Sequence, residues 1–463
     1  MNRRRDSREA MGSTGALTGL RAFLVITAGQ IVSMLGTGLT QFALGVWVYQ
    51  ETGSVTSFAL IALAISLPMV LLSPVAGALA DRWERRRTLI LSDSTAALST
   101  AVVAALFFSG GLEVWHIYIS SVVSSMARTL QGPAFVSAST ALVPRQHFAR
   151  ASGLVQFGEG VTQIVAPAVA GWLVVTSGVG VVILIDCVTF LAALATLATI
   201  SIPPVVRRGD GESDSGADSS SGSRRSGESL WSEITAGWRY VARYPGLLVL
   251  LGLFALINLA IGLVEVLVTP MVLRMADAGA LGLILSLAGL GMLGGSVAII
   301  VWGGPRRRVW GVLGCMALFS LSLIGAGARP SLAIMAAGAF FVMFWVPIIN
   351  GCSQAIWQAK VPMELQGRVF ALRRMVAYST LPVAQGSAGP LADRVFEPLL
   401  AHEGPLAGSL GSMIGTGPGR GIAGLFVLLG VFCLVLSVAA AAHRGVRGVD
   451  DLPDAVGDED QKR

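Results

Sequence analysis

Long runs of apolar residues, each about the length of a bilayer crossing and each closed by a polar break, recur twelve times along the 463-residue chain. They lie near 22–49, 57–80, 88–109, 114–141, 151–176 and 179–200, and again near 246–271, 279–302, 309–328, 331–358, 368–394 and 420–442. A helix needs roughly 20 consecutive apolar residues to cross the hydrocarbon core. Within that core only helices and closed barrels satisfy their own backbone groups. The pattern predicts an all-α membrane protein of twelve transmembrane helices. The first run is too long for the apolar stretch of a signal peptide and reads as a span.

Between the sixth and seventh runs the composition changes abruptly. The stretch from Arg207 to Ser229 is dominated by Gly, Ser and Asp, which cannot bury a core and predicts a disordered linker. The organisation expected is a tail over 1–21, a six-helix bundle over 22–200, a linker over 201–245, a second six-helix bundle over 246–442 and a tail over 443–463. Late in the linker, Trp231, Ile234, Trp238 and Val241 recur at helical spacing, predicting an amphipathic helix lying in the membrane interface.

Composition agrees: 54% of residues are apolar and 13% charged, against about 25% charged in a soluble domain. Charge then supplies an orientation. Of 33 Lys and Arg, 28 fall on one side of the predicted spans, leaving Arg128, Arg274, Arg329, Arg394 and Arg420. By the positive-inside rule the basic side is cytoplasmic, with both termini there. The net charge of +6 is then a matter of topology and points to no nucleic-acid partner. Arginine outnumbers lysine 31 to two, a bias typical of GC-rich bacterial genomes, so the expected location is a bacterial cytoplasmic membrane. The four cysteines sit inside apolar runs without metal-ligand spacing, and no metal site is expected from them.

A shift of 218 residues superimposes parts of the two halves. It places Val143-Pro144 on Val361-Pro362 and Arg150 on Arg368, and Ala166, Ala170, Gly171 and Leu173 on Ala384, Ala388, Gly389 and Leu391. Duplication of a six-span unit is how many transporters are built, with the substrate site between the halves at the midplane.

Three local motifs carry a family resemblance. The loop after the second span contains Gly77, Asp81, Arg82, Arg85 and Arg86 and resembles the G-x-L-a-D-r-x-G-r-k signature of the major facilitator superfamily. Glu84 stands where that signature has glycine, and the corresponding second-half loop, Gly303 to Arg308, has arginines and no aspartate. In the fourth span, Arg128 to Gly132 resembles the R-x-x-q-G pattern. In the fifth, Gly153, Thr162, Ala166-Pro167 and Ala170-Gly171 are similar to the exporter signature G-x8-G-x3-G-P-x2-G-G, with three of its glycines replaced. The segment Ala236 to Val241 and the loop around Val143-Pro144 add a likeness to the bacterial macrolide-efflux and enterobactin-exporter type. The resemblance implies two pseudo-symmetric six-helix bundles (the major facilitator fold), with Asp81 and its arginines as a gating latch.

Charged residues inside spans are expensive and mark function. Arg128 and Glu159 both fall near mid-depth on neighbouring spans; Asp186 and Glu265 lie nearer the other side. One of these carboxylates is expected to carry a coupled proton, Glu159 first. Gln30, Gln41, Asn258, Asn350 and Gln354, with Phe344 and Trp345, are candidates for a central cavity suited to amphipathic ligands. The function expected is a monomeric, proton-driven exporter of drug-, antibiotic- or siderophore-like molecules that needs no bound cofactor and works within a lipid bilayer. Import of a sugar or metabolite, and a non-transporting scaffold or sensor, remain open alternatives.

Overall fold

The computed structural model describes residues 2–143, 147–199 and 238–451. Pro144, most of the linker with Trp231 and Ile234, and the tail beyond residue 451 lie outside it. Twelve helices of 21 residues or more run through the described residues. The first six are α1 (Asn2–Thr52), α2 (Val55–Arg82), α3 (Arg85–Phe108), α4 (Val114–Leu142), α5 (Phe148–Ser177) and α6 (Val179–Thr199). The second six are α7 (Pro245–Leu273), α8 (Ala278–Trp302), α9 (Arg308–Ala328), α10 (Leu332–Lys360), α11 (Met363–Pro390) and α12 (Arg420–Ala442). Ten are long and apolar enough to cross a membrane. The other two are interrupted by serines and Arg128 in α4, and by Arg368, Arg373 and Arg374 in α11.

Local chemistry sets the helix ends. Pro245 occupies the first turn of α7, where its missing N–H and fixed φ cost nothing. Asp277 caps α8 by accepting from Ala280 N at 2.9 Å. Gly303 closes α8 at φ 74°, a left-handed conformation that a side chain disfavours. Two boundaries differ from expectation. α1 continues back to Asn2 through the predicted tail, because Arg, Glu, Ala and Met are good helix formers. α11 starts at Met363 rather than near 368, which sets Arg368, Arg373 and Arg374 about a turn and a half farther from its start.

The packing is a duplication. Within the first half α1 packs on α5 and α6, α4 on α2 and α3, and α3 on α6. Advancing every number by six reproduces the second half, where α7 packs on α11 and α12, α10 on α8 and α9, and α9 on α12. The halves meet mainly through α5 against α8 and α2 against α11, two crossings that the same operation exchanges. The 218-residue register reappears in space. A Cβ on Gly171 would stand 2.4 Å from Ala278 O and 3.1 Å from Gly282 Cα of α8, and one on Gly389 would stand 2.4 Å from Thr56 Cα of α2.

Both crossings lie toward one end of the molecule, the end of the loops at 53–54, 178, 274–277 and 400–419. The other end, with loops at 83–84 and 303–307, is here called the basic face. Along the α5–α8 seam, contact runs from Gly171 and Gly282 through Ser286 Oγ, which donates to Ile164 O at 2.6 Å. Toward the basic face the seam opens: Val297, Ile300 and Val301 of α8 are 58%, 79% and 81% exposed. Gly171→Ala and Gly389→Ala should therefore each disfavour the closed end by about 1–3 kcal/mol, the usual cost of overpacking. Thiol labelling of a cysteine placed at Ala278, which already carries a Cβ and is 2% exposed, should rise several-fold in Gly171→Ala; unchanged labelling would mean that the backbone contact does not hold this end shut.

Candidate functional site

Arg128 lies fourteen residues from either end of α4, about 21 Å from each at 1.5 Å per residue. Its side chain is exposed because it projects into a cavity of about 390 Å³ within the first bundle. Thr37, Thr40 and Gln41 of α1, Met69 of α2, Thr100 of α3, Ser121 and Ser124 of α4 and Asp186 of α6 line that cavity. A guanidinium at mid-membrane costs about 2.5–3.5 kcal/mol on insertion scales unless water or polar groups meet it. The hydroxyl-rich wall supplies the polar groups, and the cavity is roomy enough for water.

Asp186 occupies the dry edge of this cavity and is 1% exposed. Thr37 Oγ1 and Thr189 Oγ1 approach its Oδ1 at 3.5 and 3.4 Å, at the long limit for a hydroxyl donor. Gly36 lets α1 come this near: a Cβ there would be 2.8 Å from Asp186 Oδ1. Among the described residues no carboxylate lies within 4 Å of the Arg128 guanidinium, yet Asp186 and Glu159 both act on it electrostatically. Asp186 is seven residues from the start of α6 at the closed end. Glu159, exposed, is eleven residues from the start of α5 at the basic face. The three charges form a column with the cation in the middle.

A second carboxylate, absent from the sequence candidates, stands nearby. Asp93 of α3 is 2% exposed. It accepts from Gln30 Nε2 of α1 at 2.8 Å and from Gln131 Nε2 of α4 at 2.6 Å, while Gln131 Nε2 also reaches Gln30 Oε1 at 2.9 Å. Gln30 thus belongs to an interhelical polar joint and not to the cavity wall, where Gln41 alone of the expected cavity residues is found. An acid inside the apolar run at 88–109 is the signal that marks Asp93.

The second half holds a buried cation of its own. Arg373, counted with the basic face by sequence, is 6% exposed, because α11 begins ten residues before it. Its guanidinium donates to Gln354 Oε1 at 2.8 Å and Ser353 Oγ at 3.1 Å. It also lies 4.9 Å from the ring centre of Phe254 and 5.1 Å from that of Trp357, a cation–π arrangement. Asn258 donates to Phe254 O of its own helix at 2.8 Å, and Asn350 is exposed. Phe344 and Trp345 are half-buried and reach neighbouring helices. Phe344 lies against Gly294 of α8, and Trp345 Nε1 donates to Ser322 Oγ of α9 at 3.3 Å, since the small residues facing α10 make room for both rings. Glu265 of α7 is exposed, with no ion-pair partner within 4 Å among the described residues.

The two ends of the molecule are tied differently. At the closed end, ties cross between the halves. Arg274 Nε, after α7, donates to Tyr49 Oη of α1 at 2.7 Å, and Arg274 Nη1 pairs with Glu397 Oε1 at 2.6 Å. Glu397 also accepts from Gly419 N and Ile422 N at the start of α12. Beyond Pro390 a π-helical turn, Leu391–Phe396, carries Asp393 over the start of α2. There it accepts from Ser54 Oγ at 3.0 Å, Val55 N at 3.2 Å, and Thr56 N and Oγ1 at 2.8 Å each. A carboxylate at a helix N-terminus meets free amides and the positive end of the dipole.

At the basic face the described ties stay within a half. Arg86 donates to Leu197 O at 3.2 Å and Ala198 O at 3.0 Å, a cation on the carbonyl end of α6. Gly77, Asp81 and Arg82 lie in the last turns of α2 and Arg85 opens α3; the side chains of Asp81, Arg82 and Arg85 lie outside the described ones. The second-half loop has no aspartate, and the segment after α12 supplies one. Asp450 accepts from Val309 N at 3.3 and 3.4 Å, and Lys360 Nζ donates to Asp450 O at 3.0 Å. Burial pushes the Asp450 carboxyl up, opposed by the Val309 N–H and Lys360. In the fifth-span motif, a Cβ on Gly153 would meet no atom within 4 Å, whereas Pro167 O and Gly171 sit against Gly282 of α8.

A sequence profile of the Major Facilitator Superfamily matches residues 26–384. Macrolide efflux protein A of Streptococcus pyogenes is 25% identical over 386 residues, covering 81% of this chain and 90% of that protein. Multidrug efflux pump Tap of Mycolicibacterium fortuitum is 24% identical over 380 residues, covering 80% and 88%. Among solved structures, a bacterial homolog to the human lysosomal transporter Spinster, in an inward-facing and unoccupied conformation, aligns with TM-score 0.64 at 14% identity. The alignment spans 94% of this chain and 97% of that one.

The closed end yields a direct test. Asp393→Ala removes the acceptor for four donors at the start of α2 and should weaken closure by about 1–2 kcal/mol, the scale of a lost helix cap. Labelling at the closed end should rise correspondingly, while Asp393→Glu recovers part of the effect; equal labelling in all three proteins would rule the cap out as a gate.

Proposed function

This chain belongs to the Major Facilitator Superfamily, and we propose that it is a proton-coupled exporter of amphipathic small molecules. It works by alternating access between its two bundles in a bacterial cytoplasmic membrane. The observation that carries the reading is one cavity holding a wet arginine and a dry carboxylate, Arg128 and Asp186. With the arginine-rich loops cytoplasmic, the basic face is the cytoplasmic one, and this conformation receives substrate from the cytoplasm. The efflux function named for the relatives from Streptococcus and Mycolicibacterium supports the outward direction.

The physical cycle follows from competition for a carboxylate. Ionised Asp186 attracts Arg128 and also suits a cationic amphipathic substrate; protonated Asp186 does neither. A proton arriving from the outer side and a substrate arriving from the cytoplasm therefore displace one another, which is antiport. Glu159, placed first by sequence depth, is exposed on the cytoplasmic side of Arg128 and serves as the relay that receives the proton leaving Asp186. Asp186 is the better coupling residue because it is dry and its hydroxyl contacts are long.

A second reading has one observation in its favour. Thr37, Thr40, Thr100, Ser121 and Ser124 line the cavity with hydroxyls, which would also suit a sugar or similar metabolite.

Inverted vesicles with an imposed pH gradient separate the readings. The expected result is accumulation of a lipophilic cationic dye, lowered at least about tenfold in Asp186→Asn, a factor equivalent to about 1.4 kcal/mol. Undiminished dye transport in Asp186→Asn with loss in Glu159→Gln would return coupling to Glu159. Movement of a neutral sugar and no dye would overturn export.

A further inference from the structure

The joint at Asp93 lies apart from the Arg128 cavity and has no part in the cycle above. It draws one side chain from each of three helices: Gln30 of α1, Asp93 of α3 and Gln131 of α4. No described charge faces the Asp93 carboxylate. α3 packs on α4 and α6. On α4, Arg128 projects into the cavity and His116 sits at the far end, bonded to Glu113 N. On α6, Asp186 also belongs to the cavity. On α1 the charged residues Arg21 and Glu51 are at opposite ends of the span. At the start of α3, Arg86 is engaged with α6 carbonyls and Arg87 pairs with Glu84 at 2.6 Å. The carboxylate is held by amides alone.

That arrangement can be satisfied in one protonation state only. With Asp93 ionised, Gln30 turns its NH₂ to Oδ2 and its oxygen to Gln131, and the Gln131 NH₂ serves both Gln30 and Oδ1. Suppose a proton is placed on Oδ2. Gln30 must then turn its oxygen to the carboxyl, which turns its NH₂ to Gln131. Gln131 must present its own oxygen in reply, and that oxygen faces the unprotonated Oδ1. A proton on Oδ1 leads by the same steps to an oxygen facing an oxygen at Gln30. Either way one of the three contacts breaks, and a buried polar group left unpaired costs about 1–3 kcal/mol. The joint is closed by a carboxylate and opened by a carboxylic acid.

Gln131 is one helical turn from Arg128 on α4. We propose that Asp93 is a second proton-binding residue of the first bundle, a positioning residue whose proton breaks one contact of the joint and so loosens the packing of α1, α3 and α4 beside Arg128. The step moves one proton from water at the basic face onto the Asp93 carboxylate and returns it on closure, with no other reactant. This extends the proton-coupled reading above and rests on it for its role in transport, although the titration itself does not.

Infrared difference spectroscopy of the purified full chain in lipid nanodiscs, between acid and alkaline pH, tests it. Wild type should show a protonated-carboxyl band that disappears in Asp93→Asn and persists in Asp186→Asn. Gln131→Met, which keeps the acid and removes one donor, should retain the band with its midpoint displaced by about one pH unit. A spectrum unchanged in Asp93→Asn would overturn the proposal, provided the variant elutes as folded protein. If that variant does not fold, a midpoint unmoved in Gln131→Met overturns it instead. Failure of the transport reading has a different signature: the Asp93 band would remain while dye movement in vesicles ignored the pH gradient.

Discussion

The two bundles touch through their backbones, and much of the architecture answers to that contact. Lipid tails are as apolar as leucine, so nothing hydrophobic draws one membrane helix to another; close packing has to supply the attraction. At Gly171 against Gly282, and at Gly389 against Thr56, main chains stand where a single methyl group would collide. A contact this close is made or broken as a unit. Asp393, Arg274 and Glu397 add their polar ties beside the same crossings, so one end of the molecule shuts as a whole. The opening of the seam beyond Leu293, toward the basic face, goes with closing at that end.

Inside this frame each buried charge is accommodated by a different device. Arg128 projects into a cavity lined with hydroxyls. Arg373 gives up water for two side-chain acceptors and aromatic faces. Asp93 takes amide donors from two neighbouring helices, and Asp186 has threonine hydroxyls, those of Thr37 and Thr189 at the edge of bonding distance. These differences decide which charges can change state. A guanidinium stacked on rings has no reason to move, whereas a carboxylate short of donors gains from a proton or a cation.

Hydropathy made the twelve long helices legible, because in a membrane backbone satisfaction and apolar length are nearly the same constraint. The duplication was legible at the small residues, where Gly171 and Gly389 occupy equivalent crossings. The individual charges were not. Arg373 reads as a cation near the end of its span if α11 is started five residues late. Asp93 is hidden by the Leu-Ile-Leu and Ala-rich runs on either side of it. Depth counting favoured Glu159, since counting gives distance along a helix and says nothing of which face is dry. For Phe344 and Trp345 the sequence is equally silent on surroundings: a large ring on a membrane helix fits a seam between helices as readily as a cavity, and here Phe344 lies against Gly294 and Trp345 bonds Ser322. The contribution of Asp450 to the start of α9 joins residues 141 positions apart, and no local pattern contains it.

The duplicated architecture carries an unequal distribution of titratable groups, and the inequality has a mechanical consequence. Each bundle contains one deep arginine, but only the first surrounds its arginine with carboxylates, Asp186 and Glu159 acting on Arg128 and Asp93 one helix away. Arg373 has amide, hydroxyl and ring partners and no acid among them. A guanidinium keeps its charge across the physiological range, so its surroundings change with pH only if an acid is present. Protonation beside a deep arginine is therefore open to the first bundle; in the second, the carboxylate of Glu265 stands on α7 with no ion-pair partner within 4 Å among the described residues, and the crossings at Gly171 and Gly389 join the two bundles backbone to backbone.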